Sequence, residues 1–138
     1  MTGTRHATET EMTAAITACL EARPDVRLAI LFGSAARGKL HKRSDIDIAV
    51  ALDDNTPEKR EALREELAAL THREVDLLDL PGLHGFILKE VLTQGTVVVK
   101  RDSPLYELLI KRMLIEEADW LPLKRAAMKK QLERFLNG

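Results

Sequence analysis

The stretch Leu31-Phe32-Gly33-Ser34-Ala35-Ala36-Arg37-Gly38, followed by Ser44-Asp45-Ile46-Asp47-Ile48-Ala49-Val50-Ala51-Leu52, decides how this chain reads. Arg27 to Phe32 is an apolar run of strand length that ends at Gly33-Ser34. Asp45 to Leu52 is a second strand, with β-branched residues along it and Asp53-Asp54-Asn55 closing it. Ala35 to Gly38, between them, is able to start a short helix. A strand-to-helix turn of this kind points backbone N–H groups outward, where they hold phosphate oxygens. Glycine lets the backbone approach a phosphate closely, and serine adds a hydroxyl donor. Most Gly-Ser turns do nothing but turn the chain, so the dipeptide alone leaves both readings open.

Asp45 and Asp47 flank Ile46. Side chains alternate across a strand, so both carboxylates project from one face, with Ile46 and Ile48 on the other. Two adjacent carboxylates repel unless a cation lies between them, and Mg²⁺ prefers carboxylate oxygens, water and substrate phosphates. Two solvated carboxylates at a strand entrance are the bland alternative. A third carboxylate, Asp76, stands among apolar neighbours in Glu74-Val75-Asp76-Leu77-Leu78-Asp79-Leu80, a third strand that reads as central. A buried carboxylate needs a partner: either a metal ion, with a second role as general base, or an arginine in a salt bridge. Asp79, on the opposite face, is expected to cap the following turn. A phosphate-holding turn and three carboxylates on adjacent strands would together form a metal-assisted phosphoryl- or nucleotidyl-transfer site.

Working outward, Glu9 to Arg23 carries Met12, Ile16, Cys19 and Leu20 at helical spacing, and Pro24 stops it. Thr56-Pro57-Glu58 is an N-cap with proline at the first helical position, opening a helix to about Leu70. Pro81-Gly82 ends the third strand, Leu83 to Gln94 is a helix capped by Gly95, and Thr96 to Lys100 is a final strand. Ser103-Pro104 starts a mostly helical stretch with a break expected at Pro122. Strands alternate with helices, so the class is α/β around one sheet.

The 138 residues suit one domain. Lys and Arg number 21 against 22 Asp and Glu, a balance that excludes a chain built mainly to coat nucleic acid or anionic membrane. Residues 1–99 hold 12 basic and 16 acidic side chains, and residues 100–138 hold 9 and 6, so the tail is the basic part. The single cysteine, Cys19, allows no intramolecular disulfide or multi-cysteine metal cluster and suits a reducing cytosol. No apolar run reaches the ~20 residues that span a bilayer, and the first residues lack the apolar core of a secretory signal. The expectation is a soluble, cytoplasmic domain.

Gly33-Ser34, ten intervening residues and Asp45-x-Asp47 resemble the GS-x10-DxD signature of the polymerase-β-type nucleotidyltransferases, with Asp76 as that signature's usual third carboxylate. At this length the chain most resembles the minimal nucleotidyltransferase (MNT) antitoxins, the MntA-like partners of HEPN-domain ribonuclease toxins. The resemblance covers roughly residues 9–100. It implies a mixed sheet flanked by helices, with residues 1–102 as the nucleotidyltransferase domain and residues 103–138 as its C-terminal helical extension. It implies ATP bound as its Mg²⁺ complex, Gly33 and Ser34 on the triphosphate, and Asp45 and Asp47 holding two metal ions. Asp76 would bind the catalytic metal and help to deprotonate the acceptor, a tyrosine hydroxyl of the toxin. That oxygen attacks the α-phosphorus in line, pyrophosphate leaves, and the toxin is silenced by AMP. Neither nucleic acid nor membrane is a direct partner in this reading.

Two other readings compete. An aminoglycoside-type nucleotidyltransferase would need a pocket shared between two copies, because fewer than 40 residues follow Lys100. A non-catalytic module could inhibit a partner by binding alone, although Asp45, Asp47 and Asp76 weigh against it. Arg37, Lys39, His41, Lys42 and Arg43 form a basic loop between the halves of the signature, solvated or turned to phosphate. His6, His72 and His84 have no metal-ligand spacing. In the tail, Tyr106, Leu109, Ile110, Met113, Leu114 and Glu117 recur at helical spacing, and Leu121, Leu132, Phe135 and Leu136 do so among basic residues. A small domain covers only part of that surface, so residues 103–136 are expected to dock on the partner or a second copy, with Trp120 as a contact anchor or a packing residue.

Overall fold

The computed structural model describes residues 9–33 and 46–137. Strands β1 (Val26–Phe32) and β2 (Ile46–Leu52) are apolar at nearly every position because both of their faces are covered. They pair antiparallel, β4 (Thr96–Lys100) adds antiparallel to the far side of β1, and β3 (Val75–Asp79) adds parallel to β2. The sheet order is β3-β2-β1-β4. Helix α2 (Pro57–Thr71) supplies the crossover that a parallel β2–β3 pair requires. This is the mixed sheet flanked by helices that the sequence implied.

Alternation along β1 and β2 divides the core into two layers. Val26, Ala29, Leu31, Ile46, Ile48 and Val50 meet Met12, Ile16 and Leu20 of α1 (Glu9–Glu21) and Leu63 and Leu67 of α2. On the other face, Leu28, Ile30, Phe32, Ala49 and Ala51 meet Leu88 and Val91 of α3 (Gly85–Gln94) and Leu109 of α4 (Ser103–Asn137). Each fully buried aliphatic side chain contributes about 1.5–3 kcal/mol, against roughly 0–1 kcal/mol for an exposed ion pair such as Arg64–Glu61. Packing on the two faces holds the fold.

Helix ends follow local chemistry. The Thr56 side chain accepts from the Lys59 N–H at 3.2 Å, with Pro57 in the first turn, as expected. His72 closes α2 in the left-handed region, its N–H on the Ala68 carbonyl at 2.8 Å. Helix α1 has no basic residue in its last turn; instead Arg101 reaches across from the end of β4 and donates to the carbonyls of Glu21, Arg23 and Val26. Gly95 caps α3 with its N–H on the Val91 carbonyl, at a place where a Cβ would overlap that carbonyl and the Ile30 side chain. Cys19 is half-buried against the core and lies 3.6 Å from a Glu66 oxygen; burial and that carboxylate push its thiol up. Among the described residues no helix is long and apolar enough to cross a membrane.

The structure corrects four expectations. β3 is an edge strand, not a central one. Asp79 makes no cap on the 3-10 turn Leu80–Gly82; it accepts from Asn55 at 2.5 Å and faces Arg60, because its side of the strand lies against the start of α2. Helix α3 begins at Gly85, two residues later than Leu83. Helix α4 runs unbroken through Pro122. Proline there removes one helical N–H, and the carbonyl it no longer reaches belongs to Ala118, an exposed residue open to water.

Helix α4 is fastened to the body at the start of α3. Glu116 accepts from the Gly85 N–H at 2.6 Å and lies 2.8 Å from the His84 ring, while Arg112 donates to the carbonyls of Pro81 and Leu83. A carboxylate at a helix N-terminus is favoured by the aligned peptide dipoles. The Gly85 N–H, then His84, hold Glu116 below the usual carboxylate range. Its contribution is complete above that range and is lost as pH falls through the lowered value. Glu116→Ala is therefore expected to lower the melting temperature at about pH 7, with the gap to wild type closing towards about pH 3. Circular-dichroism melts across that interval measure it, and a pH-independent gap would assign the contribution to packing alone.

Candidate active site

β1 delivers the chain to Gly33 and β2 carries it back past Asp47. Across the antiparallel pair Phe32 stands opposite Asp47, and across the parallel pair Asp47 stands opposite Asp76. Directly paired residues share a face, so Phe32, Asp47 and Asp76 form one row across the sheet, on the side covered elsewhere by α3 and α4. The row passes from the buried Phe32 through the half-buried Asp47 to the exposed Asp76 at the sheet edge.

Neighbouring strands lie about 4.8 Å apart. Carboxylates on directly paired residues repel, and water at the exposed Asp76 weakens that repulsion. The expected alternative for Asp76, an arginine in a salt bridge, is not found among the described residues. Edge placement explains this: the carboxylate is solvated and needs no buried partner.

Gly33 is fixed twice. Its φ is +72°, a region that residues with a Cβ avoid. A Cβ built there would overlap an Asp47 carboxylate oxygen. The turn backbone therefore lies directly against the carboxylate, so a group held by the turn is also within reach of Asp47. The donor set suits a hard divalent cation: carboxylate oxygens only, paired on one face, beside a turn able to hold phosphate.

Of the residues singled out from sequence, the structure brings together Gly33, Asp47 and Asp76. Ser34, Asp45, the helix start at 35–38, the basic loop from Arg37 to Arg43 and His6 lie outside the described residues, as do the side chains of Trp120 and Leu121. Among the described residues no three His, Cys, Asp or Glu side chains gather to hold a metal. Asp47 and Asp76 are a pair, and a third ligand would be Asp45.

Sequence reasoning missed a cavity of about 180 Å³ between α3 and α4, lined by Gly85, Phe86, Lys89, Met113, Glu116, Glu117 and Lys124. It follows the C-terminal end of β3, whereas Asp76 stands at the N-terminal end of that strand. It is a separate feature with no acid–base spacing to signal it. Lys89 and Glu117 bridge its walls at 2.5 Å.

Comparison with known proteins adds to this geometry. The family described as Polymerase beta, Nucleotidyltransferase matches residues 14–104. Over 73 residues the chain is 40% identical to the protein adenylyltransferase MntA of Shewanella oneidensis, a match covering 52% of each chain. The chain thus spans about half the length of that curated relative. Among solved structures, a chain of a toxin–antitoxin crystallised with AMP-PNP matches with a TM-score of 0.65 at 30% identity, covering 86% of this chain and 96% of that one. A chain from the complex of tri-AMPylated Shewanella oneidensis HEPN toxin with MNT antitoxin matches at 0.62 and 27% identity, covering 91% and 98%. A structure of a minimal nucleotidyltransferase matches at 0.58 and 29% identity, covering 66% of this chain and 96% of its own. Because the matched residues run from α1 to the start of α4 and take in Gly33, Asp47 and Asp76, the chain belongs to the polymerase-β nucleotidyltransferase family.

Proposed function

We propose that this protein is the antitoxin of a HEPN/MNT toxin–antitoxin pair and a protein adenylyltransferase that transfers AMP from ATP to a tyrosine of its HEPN-type ribonuclease toxin. The observation that carries the reading is the placement of Asp47 opposite Asp76 on one sheet face, with Gly33 packed on the Asp47 carboxylate. The similarity to MntA and to antitoxin complexes supports the choice of acceptor. Two carboxylates placed opposite one another beside the Gly33 turn favour a reaction centre over a module that only binds. A cytoplasmic location follows from this reading, since ATP is the donor. The family match ends at residue 104, which supports residues 1–102 as the nucleotidyltransferase domain and residues 103–138 as a helical extension of it.

In this reading Gly33 and Ser34 hold the triphosphate with backbone and hydroxyl donors, and they orient the α-phosphorus towards the open sheet edge. Asp45, Asp47 and Asp76 would hold two Mg²⁺ ions, which when bound neutralise charge on the triphosphate and on the leaving pyrophosphate. Asp76, exposed at the edge, is open to a hydroxyl brought by another protein and takes its proton. The tyrosine oxygen forms a bond to the α-phosphorus as the bond to pyrophosphate breaks. Phe32 supplies a dry floor beside Asp47.

Transfer of label from α-labelled ATP to the toxin, with the modified residue found by mass spectrometry, tests the reading. Asp45→Asn with Asp47→Asn is expected to abolish transfer while the chain still folds, as circular dichroism would show, and undiminished transfer would sink the site assignment. Asp76→Asn is expected to slow transfer by ~10²–10⁴-fold, the range for acid–base catalysis, while ATP affinity changes little.

A separate measurement addresses the turn. Gly33→Ala forces a Cβ into the Asp47 carboxylate at a positive φ, a strain of about 1–3 kcal/mol. Isothermal titration with Mg-ATP is expected to show affinity reduced about tenfold or more. Unchanged affinity would mean that the triphosphate does not rest on this turn.

A further inference from the structure

Helix α4 carries two apolar faces, and the body covers one of them. Leu105, Leu109 and Met113 pack onto the layer formed by α3 and the sheet. At 100° per residue, Leu114, Met128, Leu132 and Phe135 fall within about 60° of one another, roughly a third of a turn away from that packed face. Their intervals, 14, 4 and 3 residues, are those of a seam repeating every 3.5 residues. These four side chains are between 55% and 87% exposed. From Leu123 to Asn137 every residue of the helix is exposed. From Leu114 to Phe135 the stripe runs for about 32 Å, long for a surface left to water.

The charges beside the stripe decide what fits it. Arg125 stands within it and Lys111 and Lys129 line one edge, all exposed. Residues 123–137 hold five basic side chains against the single acidic Glu133. Two copies of this arm laid together would place like charges side by side, which opposes self-pairing. A lipid surface suits a broad apolar face, whereas this stripe is narrow and interrupted by Arg125. A narrow apolar row with a basic edge fits a groove between helices edged by Asp and Glu.

We infer that residues 114–136 form an interaction arm that docks into an apolar, carboxylate-edged groove on a helical partner protein. The inference rests on the function proposed above only in that it takes the HEPN-type toxin as that partner. It assigns the arm to binding and the Asp47–Asp76 row to chemistry, so the two are separable by substitution.

The test uses the whole 138-residue chain and a HEPN-type toxin as its partner, with affinity measured by titration and label transfer measured in parallel. Leu132→Asp with Phe135→Asp is expected to weaken binding about 100-fold, as for the loss of two central apolar anchors. Melting temperature and ATP affinity are expected to stay unchanged. Arg125→Glu with Lys129→Glu is expected to weaken binding about tenfold at low salt, with the difference shrinking as salt rises. Wild-type affinity in both variants overturns the inference. So does a dimer of the wild-type chain alone that Leu132→Asp with Phe135→Asp dissolves, or binding to vesicles of anionic phosphatidylglycerol that the same variant loses. Tight binding without label transfer refutes the proposed activity and leaves the arm intact, whereas normal transfer with unaffected binding in the variants refutes the arm alone. Failure of the wild-type chain to bind this protein overturns both.

Discussion

β2 is hydrogen-bonded on both sides, and the rest of the site depends on that. Its antiparallel register with β1 sets Asp47 opposite Phe32, and its parallel register with β3 sets Asp47 opposite Asp76. A slip of one residue in either pairing would turn Ile46, Ile48 and Val50 out of the layer they share with α1 and α2, and Asp47 into it. Burying a carboxylate among those residues costs several kcal/mol, so the hydrophobic pattern of the strand also fixes the position of the carboxylate. The site needs no special scaffold; it occupies the one end of the α3/α4 face where the row changes from Phe32 to acids.

Gly33 ties that register to the turn. The backbone at this residue lies against the Asp47 carboxylate and the φ is positive, so two independent requirements exclude a side chain. Phosphate-binding turns depend on close backbone approach. Here the approach is to the carboxylate that shares the site, and the turn and the acid are positioned by one contact.

The opposite end of the molecule serves α4. Glu116 and Arg112 fasten the helix to the start of α3 and to the carbonyls before it, and Leu109 seals the layer beneath. From Leu123 onward the helix is exposed, and it presents a second apolar row. In the proposed reading, transfer to a folded protein requires holding that protein as well as its hydroxyl, and the two tasks fall to different elements, α4 and the end of the sheet.

Much of this was legible in the linear order of residues. The apolar runs gave β1, β2 and β4, Thr56-Pro57 gave the start of α2, and Gly33 with the Asp45-x-Asp47 and Asp76 spacing gave the family, because these depend on local propensity and on period-two alternation. Other features depended on contacts between residues far apart in sequence. Val75 to Leu80 is as apolar as a central strand, yet the order β3-β2-β1-β4 leaves it at the edge and its carboxylate in water. Pro122 reads as a break, but one missing hydrogen bond on a solvated helix is too small a loss to end it. The capping of α1 by Arg101 and of α3 by Glu116 joins residues about 80 and 31 positions apart. Local sequence therefore set which elements form and which acids they carry, whereas tertiary packing decided which faces meet water, since burial is a property of the neighbours that the chain brings together.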